Sequence, residues 1–210
     1  MELIPIKIEH GEDKAWELVC GLSREDVCKR TATVFDENAD AYLLRSFGID
    51  FYVNPCEMRI SCPSEYGSLF LGKLKDFFRL SLLWYMSNAK EISPTGRLIR
   101  PVDVKGGHRF SAGTHVLPLQ TIADTFATDK EGFICKAREY GAEVLSGYGD
   151  ASIRFYPLPR VPVTMILWLE DEEFTPRVDL FFDSTCEFHL VLSDIVWAVA
   201  MMCCVVMIDG

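Results

Sequence analysis

The stretch that decides the fold runs from residue 152 to residue 182 and reads SIRFYPLPRVPVTMILWLEDEEFTPRVDLFF. Residues 152–156, 163–169 and 177–182 are rich in β-branched and aromatic side chains, and we predict a strand for each of them. The proline-rich segment 157–162 is predicted to be an extended connector. No helical periodicity interrupts these segments, so the stretch predicts a sheet of consecutive strands.

The segments upstream of this sheet form separate helical and extended blocks. The clearest helix spans residues 69–86, where apolar side chains recur every three or four positions. A hairpin-like pair of strands is predicted at residues 40–47 and 49–54, on either side of Gly48. Further predictions are helices at 13–22, 117–127 and 131–141, a short helix capped by Ser23, and a strand at 58–62. Because helices and strands are segregated and do not alternate, we predict an α+β fold with antiparallel or mixed sheets, in one domain over residues 1–210.

The charge of the chain argues against nucleic-acid binding. The sequence has 21 basic and 31 acidic residues, a formal net charge of −10, and Lys29-Arg30 is its longest basic run. Binding to phosphates depends on clustered Lys and Arg, which release counterions. We therefore expect no nucleic-acid partner and interpret the acidity as a solvated surface.

The amino terminus and the cysteines together indicate a reducing compartment. The starting sequence MELIPIKIEHGEDKAW contains neither a basic n-region nor an apolar h-region. We therefore expect a cytoplasmic protein whose eight cysteines are reduced thiols, several of them buried in the core.

The most hydrophobic segment is residues 195–208, IVWAVAMMCCVVMI. It is shorter than the ~20 residues that span a bilayer, and Lys and Arg are absent from both of its ends. We predict a buried C-terminal helix, capped by Asp194, and no membrane partner. Homo-oligomer formation through the same helix is the alternative.

Motifs for common cofactors and nucleophiles are absent from the sequence. The chain has no G-x-G-x-x-G, P-loop, G-x-S-x-G, H-E-x-x-H, EF-hand or C-x-x-C motif. Cys56 and Cys62 have a weak metal-binding spacing, and core packing is the simpler interpretation of Cys203 and Cys204. No metal site is assigned.

Two segments carry polar groups that the fold pattern does not require. The glycine-rich segment 106–115 contains His108 and His115, and its glycines allow the backbone to approach a ligand closely. A capping or surface role is the alternative for both histidines. Residues 170–173 are four consecutive acids that include Glu172. They form either a solvated turn or a site for a hard cation or for a carboxyl group with a raised pKa.

A third candidate is Arg160, which lies in the stiff proline-rich segment. Such a position preorganises a guanidinium group for a carboxylate or a phosphate. A salt bridge to Asp150 or Asp183 explains the residue equally well. We predict that the candidate ligand-binding residues converge on one pocket, and these are His108, His115, Arg160, Glu172 and Asp183.

The same segments carry a family resemblance. The runs LPRVPV, LWLEDEEF and DLFFDST, preceded by GGHRFSAGTHVLP, resemble the domain of unknown function 3786 family over residues 13–208. The resemblance implies a protein of anaerobic bacteria or archaea. It also implies a link to corrinoid metabolism, because some members carry an iron–sulfur domain similar to that of corrinoid iron–sulfur proteins.

Three hypotheses about function follow from these observations. The first is a small-molecule or cofactor-binding module, and the resemblance implies a corrinoid or another tetrapyrrole with His115 or His108 as the axial ligand. The second is an acid–base or metal-assisted enzyme that uses the acidic run and the histidines. The third is a non-catalytic scaffold that associates through its C-terminal helix. We favour the binding module because no nucleophile–base pair is visible.

Overall fold

The computed structural model describes residues 11–107 and 116–209, which begin with two short helices. Helix α1 spans Glu12–Cys20 and helix α2 spans Arg24–Thr31. The Ser23 hydroxyl accepts a hydrogen bond from the Asp26 backbone N–H (3.2 Å), so the predicted cap of α2 is confirmed.

A four-stranded antiparallel sheet follows these helices. Its strands are β1 (Val34–Asp36), β2 (Ala41–Ser46), β3 (Ile49–Asn54) and β4 (Arg59–Ser61), and they pair in chain order. The predicted hairpin is confirmed as β2 and β3, which pair from Tyr42 opposite Val53 to Ser46 opposite Ile49. Strand β1 was not predicted, whereas β4, which is equally short, lies within the strand predicted at residues 58–62.

The long helix predicted over residues 69–86 is divided in the structure. A π-helical segment spans Ser68–Leu74, and helix α3 spans Asp76–Asn88. The break lies at Lys75, whose positive φ of 42° cannot continue either helix. Phe70, Leu74 and Phe78 are buried on both sides of the break, so apolar periodicity alone could not reveal it.

The C-terminal sheet has five antiparallel strands in the order β5-β9-β8-β7-β6. Its three long strands are β7 (Ala151–Leu158), β8 (Val161–Trp168) and β9 (Arg177–Asp183), and its short edge strands are β5 (Leu98–Ile99) and β6 (Glu143–Leu145). The extended connector predicted at 157–162 is wrong. Leu158 pairs with Val161, and a register irregularity between Phe155 and Leu158 accommodates the prolines in the hairpin.

The remaining helices of the described residues are a 3₁₀ turn (Pro101–Asp103), α4 (Leu119–Thr125), α5 (Lys130–Glu139), the one-turn helix α6 (Cys186–His189) and α7 (Ser193–Ile208). All residues from Ile195 to Met207 are buried, and α7 packs against α3 and β7. A helix that is apolar on every side belongs in a core, and the prediction of a buried C-terminal helix is confirmed.

The predicted cap of this helix is wrong. Asp194 lies in the first turn and is not the cap, because the helix begins at Ser193 after Leu192. None of the helices in the described ranges has the length and apolarity needed to cross a bilayer.

The two sheets meet at the turn between β2 and β3. The Ser46 hydroxyl donates to the Pro157 carbonyl (2.7 Å), and the Phe47 N–H donates to the Tyr156 carbonyl (2.9 Å). The same turn contacts the end of α5, where Gly48 and Gly141 approach backbone to backbone. The predicted α+β fold is therefore confirmed as two antiparallel sheets and their helices around one core.

Candidate functional site

The predicted site residues divide into those that the structure describes and those that it does not. His108 and His115 lie outside the described residues, so their roles stay predictions. Among the other three candidates, strand β8 separates Arg160 from Glu172. Arg160 precedes the strand, whereas Glu172 lies in the loop after it. A strand of this length spans roughly 25 Å, so the structure does not bring Glu172 together with Arg160. Asp183 ends β9 beside the start of β8 and therefore lies at the Arg160 end of the sheet.

Arg160 is bound to the end of a helix. Its Nε donates to the Arg30 carbonyl (2.8 Å) and its guanidinium also donates to the Lys29 carbonyl (3.1 Å). These carbonyls lie in the last turn of α2, where the partial negative charge of the helix favours a cation. Within the described ranges, Arg160 forms no ion pair with Asp150 or Asp183, so the predicted salt bridge is absent there.

Asp183 is buried and ties two chain segments together. Its carboxylate accepts hydrogen bonds from the backbone N–H groups of Thr95 (3.2 Å), Gly96 (2.6 Å) and Thr185 (2.9 Å), and from the hydroxyls of both threonines. Burial alone raises the pKa of this carboxyl, but the hydrogen bonds outweigh burial and leave it below its usual value. Asp183 borders a cleft of 360 Å³, yet both of its oxygens already have partners.

His189 is a buried polar residue that sequence reasoning missed. Its Nδ1 accepts a hydrogen bond from the Lys90 N–H (3.4 Å), and its Nε2 has no partner among the described residues. Burial, followed by the positive charge of Arg160, lowers the pKa of His189 to about 4, although Asp183 and the backbone of Ile92 act in the opposite direction. A lone histidine after an exposed phenylalanine gives no sequence signal of burial, because the short helix α6 turns it inward.

The neutral His189 makes stability depend on pH in a defined window. Between the pKa of an unfolded histidine, roughly 6.5, and the folded value of about 4, only the unfolded state binds a proton at this position. Stability should therefore fall as the pH is lowered, with a slope of up to about 1.4 kcal/mol per pH unit. Urea unfolding of the wild type and of His189→Asn from pH 7 to pH 5 measures this slope. The variant should show a flatter dependence, and equal slopes in both proteins would contradict the assignment.

A different cleft lies at the other end of the sheet, where β8 ends and β9 begins. We call it the Trp168 cleft; its volume is 380 Å³, and it is lined by Gln120, Asp150, Trp168, Asp171, Phe174 and Arg177, among others. Trp168 and Phe174 are 40% and 68% exposed, so both rings are accessible from solvent. The cleft therefore combines two accessible aromatic groups with carboxylates and a cation.

The acidic run beside this cleft is an ordered turn. Asp171 Oδ1 accepts hydrogen bonds from the N–H groups of Glu173 and Phe174, both at 2.8 Å. The loop is held to α4 and to the segment that follows it, because Gln120 Nε2 of α4 donates to the Pro176 carbonyl (3.4 Å) and the Glu170 N–H donates to the Ala127 carbonyl (2.8 Å). Glu172 is exposed and is not one of the residues that line the cleft.

The polar groups of the cleft are held in place by their neighbours. Asp150 Oδ2 accepts from the Leu169 N–H (2.8 Å). Arg177 lies over the Trp168 ring, 5.1 Å from its centroid, and pairs with Asp179 at 3.1 Å. The same Asp179 oxygen accepts from the Trp168 indole N–H (3.0 Å), so the indole and the guanidinium share one anchor. In the part of the chain that the structure describes, the second oxygen of Asp150 and of Asp171 has no hydrogen-bond partner.

Metal binding has no support in the described residues. They contain no group of three or more His, Cys, Asp or Glu side chains arranged to hold a metal ion. Cys56 is exposed in the turn after β3, whereas Cys62 is half-buried and packs against Gly67.

Comparison with known proteins adds a family and no activity. No curated protein and no solved structure matches the chain. A family model, described as a domain of unknown function (DUF3786), matches residues 24–204, which include both sheets and all but the last turn of α7. The resemblance noted in the sequence is thus confirmed, and the chain belongs to the DUF3786 family.

Proposed function

We propose that this domain binds a small molecule in the Trp168 cleft. The observation that carries the proposal is the position of two exposed aromatic side chains beside carboxylate oxygens in a cleft of 380 Å³. Sites for small molecules have volumes of roughly 300–1,000 Å³ and combine apolar walls with a few convergent polar groups. The Trp168 cleft has both properties.

The hydrogen bonds of the cleft support binding with little rearrangement. Asp150 and Asp171 are each fixed through one oxygen by backbone N–H groups, which leaves the other oxygen for a ligand. The loop between β8 and β9 is tied to α4 and to the segment that follows it. A site that is ordered before the ligand arrives does not lose that conformational entropy on binding.

The chemistry of the cleft suggests what the ligand carries. Ionised carboxylates only accept hydrogen bonds, so the ligand should offer hydroxyl or ammonium donors. Trp168 and Phe174 offer flat apolar surface, which suits a sugar-like ring or a short alkyl chain. The shared feature is therefore an apolar face next to hydrogen-bond donors, as in a polyol or an amine.

The fluorescence of Trp168 provides a direct test. The other three tryptophans, Trp16, Trp84 and Trp197, are 2%, 8% and 5% exposed, so a ligand in the cleft should change mainly the Trp168 emission. We would titrate the protein with glucose, sucrose, putrescine and arginine. We expect at least one of these probes to shift the emission with saturation.

Matched variants decide whether the response comes from the cleft. Asp171→Asn and Phe174→Ala should weaken binding at least tenfold, which corresponds to about 1.4 kcal/mol. Phe188→Ala is the control because it removes a phenylalanine that is 54% exposed elsewhere on the surface. Equal weakening by Phe174→Ala and Phe188→Ala, or no response to any probe, would refute the proposal for this cleft.

A corrinoid or another tetrapyrrole is the ligand implied by the family resemblance, and it is tested separately. His189 is fully buried and is a poor axial ligand, so His115 stays the predicted ligand and His108 its control. Titration with cobalamin and with haem should shift a visible band in the wild type and in His108→Ala, and this shift should be lost in His115→Ala. Unaltered spectra with both cofactors would remove the tetrapyrrole hypothesis without affecting the cleft proposal.

A further inference from the structure

We infer that Cys20 and Cys56 are a thiol-oxidation site that closes reversibly to an intramolecular disulfide. The two cysteines line one groove of 170 Å³, where the end of α1 meets the turn between β3 and β4. Both are exposed free thiols, so an oxidant in solution can reach them. The groove is separate from the Trp168 cleft.

A sulfur–oxygen contact sets the separation of the two cysteines. The Cys20 thiol donates a hydrogen bond to the Pro55 carbonyl, with Sγ and O 3.3 Å apart. In a trans peptide a carbonyl oxygen lies about 2.8 Å from the next Cα, which here belongs to Cys56. The Cys20 sulfur therefore lies no more than about 6 Å from the Cys56 Cα, a gap that side-chain rotation and a small movement of the turn can close to a disulfide.

Both cysteines lie where the backbone can adjust. Cys20 is the last residue of α1, directly before Gly21, and Cys56 lies in the four-residue turn between β3 and β4. The thiol is a weak hydrogen-bond donor, so little is lost when Cys20 rotates away from the Pro55 carbonyl. Helix ends and exposed turns open at low cost in free energy.

The three buried cysteines are poorer candidates for oxidation. Cys186, Cys203 and Cys204 are buried, and burial raises the pKa of Cys186 to about 12 and also raises the pKa of the other two. Since the thiolate is the reactive form, these three thiols should be inert. Cys135 is exposed on α5 and serves as the control for an accessible thiol outside the groove.

The reaction is an exchange with a small-molecule disulfide. One protein thiolate attacks the disulfide, which forms a mixed disulfide and releases one small-molecule thiolate. The second protein thiolate then attacks the protein sulfur of the mixed disulfide and releases the other small-molecule thiolate. Two protein thiols are oxidised, one small-molecule disulfide is reduced to two thiols, and an excess of reduced thiol reverses both steps.

Peptide mapping after oxidation tests the inference. We would treat the purified full chain with oxidised glutathione, quench with acid, alkylate the remaining thiols and digest with trypsin. The expected product joins the tryptic peptides of residues 15–24 (AWELVCGLSR) and 46–59 (SFGIDFYVNPCEMR). It should exceed the singly glutathionylated forms of these peptides by about tenfold, because a neighbouring thiol has a high effective concentration.

Single variants distinguish the bridge from general thiol reactivity. Cys20→Ser and Cys56→Ser should each leave the remaining thiol glutathionylated and should yield no joined peptide, whereas Cys135→Ser should yield as much as the wild type. The inference is overturned if both cysteines are glutathionylated without joining, or if the joined peptide comes from covalent dimers on a non-reducing gel.

Discussion

Gly141→Ala is expected to lower the free energy of unfolding by about 3–5 kcal/mol. A Cβ at this position would lie 2.8 Å from the Cα of Gly48, and Gly141 has a positive φ of 67°. Gly48 also has a positive φ, 73°, so neither backbone can move away without distorting its own turn. The contact joins the end of α5 to the turn between β2 and β3, and its loss should weaken the packing between the two sheets.

Gly147→Ala separates the backbone strain of a positive φ from the steric contact with Gly48. Gly147 has a positive φ of 91°, but a Cβ there would have no atom within 4 Å. It should therefore cost only about 1 kcal/mol, the strain of the backbone alone. Urea unfolding of both variants measures the difference. If the two variants are equally stable, the close approach of Gly48 and Gly141 does not contribute.

Asp183→Ala is expected to lower the free energy of unfolding by about 3 kcal/mol, although Asp183 was predicted from the sequence as a ligand-binding residue. The substitution leaves the N–H groups of Thr95, Gly96 and Thr185 without their acceptor. The Thr185 donor is buried, so water cannot replace its lost acceptor, whereas the donors of the exposed residues Thr95 and Gly96 lose hydrogen bonds to a charged group. The segment around Thr95 should then detach from the end of β9.

Glu172→Ala is the matched control, since it removes another acid from the same set of predicted site residues. Glu172 is exposed in the turn after β8, and surface substitutions of this kind usually change stability by less than about 0.5 kcal/mol. Thermal unfolding followed by circular dichroism should show a large loss for Asp183→Ala and almost none for Glu172→Ala. Similar melting temperatures for the two variants would contradict the structural role of Asp183.

The candidate site was only partly predictable, because antiparallel pairing decides which loops are neighbours. Arg160 and Glu172 are twelve positions apart in the sequence, yet they lie at opposite ends of β8. The acidic run was recognised as a candidate, and the structure places Asp171 of that run beside Asp150, Trp168 and Gln120. Gln120 comes from α4 and carries no sequence signal, since its position depends on how that helix packs beside β9.

Locally repeating patterns were sufficient to predict the α+β class, the three long C-terminal strands, the Ser23 cap and the buried helix at residues 195–208. Periodicity and capping depend on residues a few positions apart, so the sequence by itself determined these features. Only the tertiary structure decided that Arg160 binds the end of α2, that Asp183 holds the segment around Thr95, and that His189 is buried beside them. Apart from Thr185, the partners of these groups lie from 87 to 131 positions away in the sequence, and such pairs form only when distant elements pack together around one core.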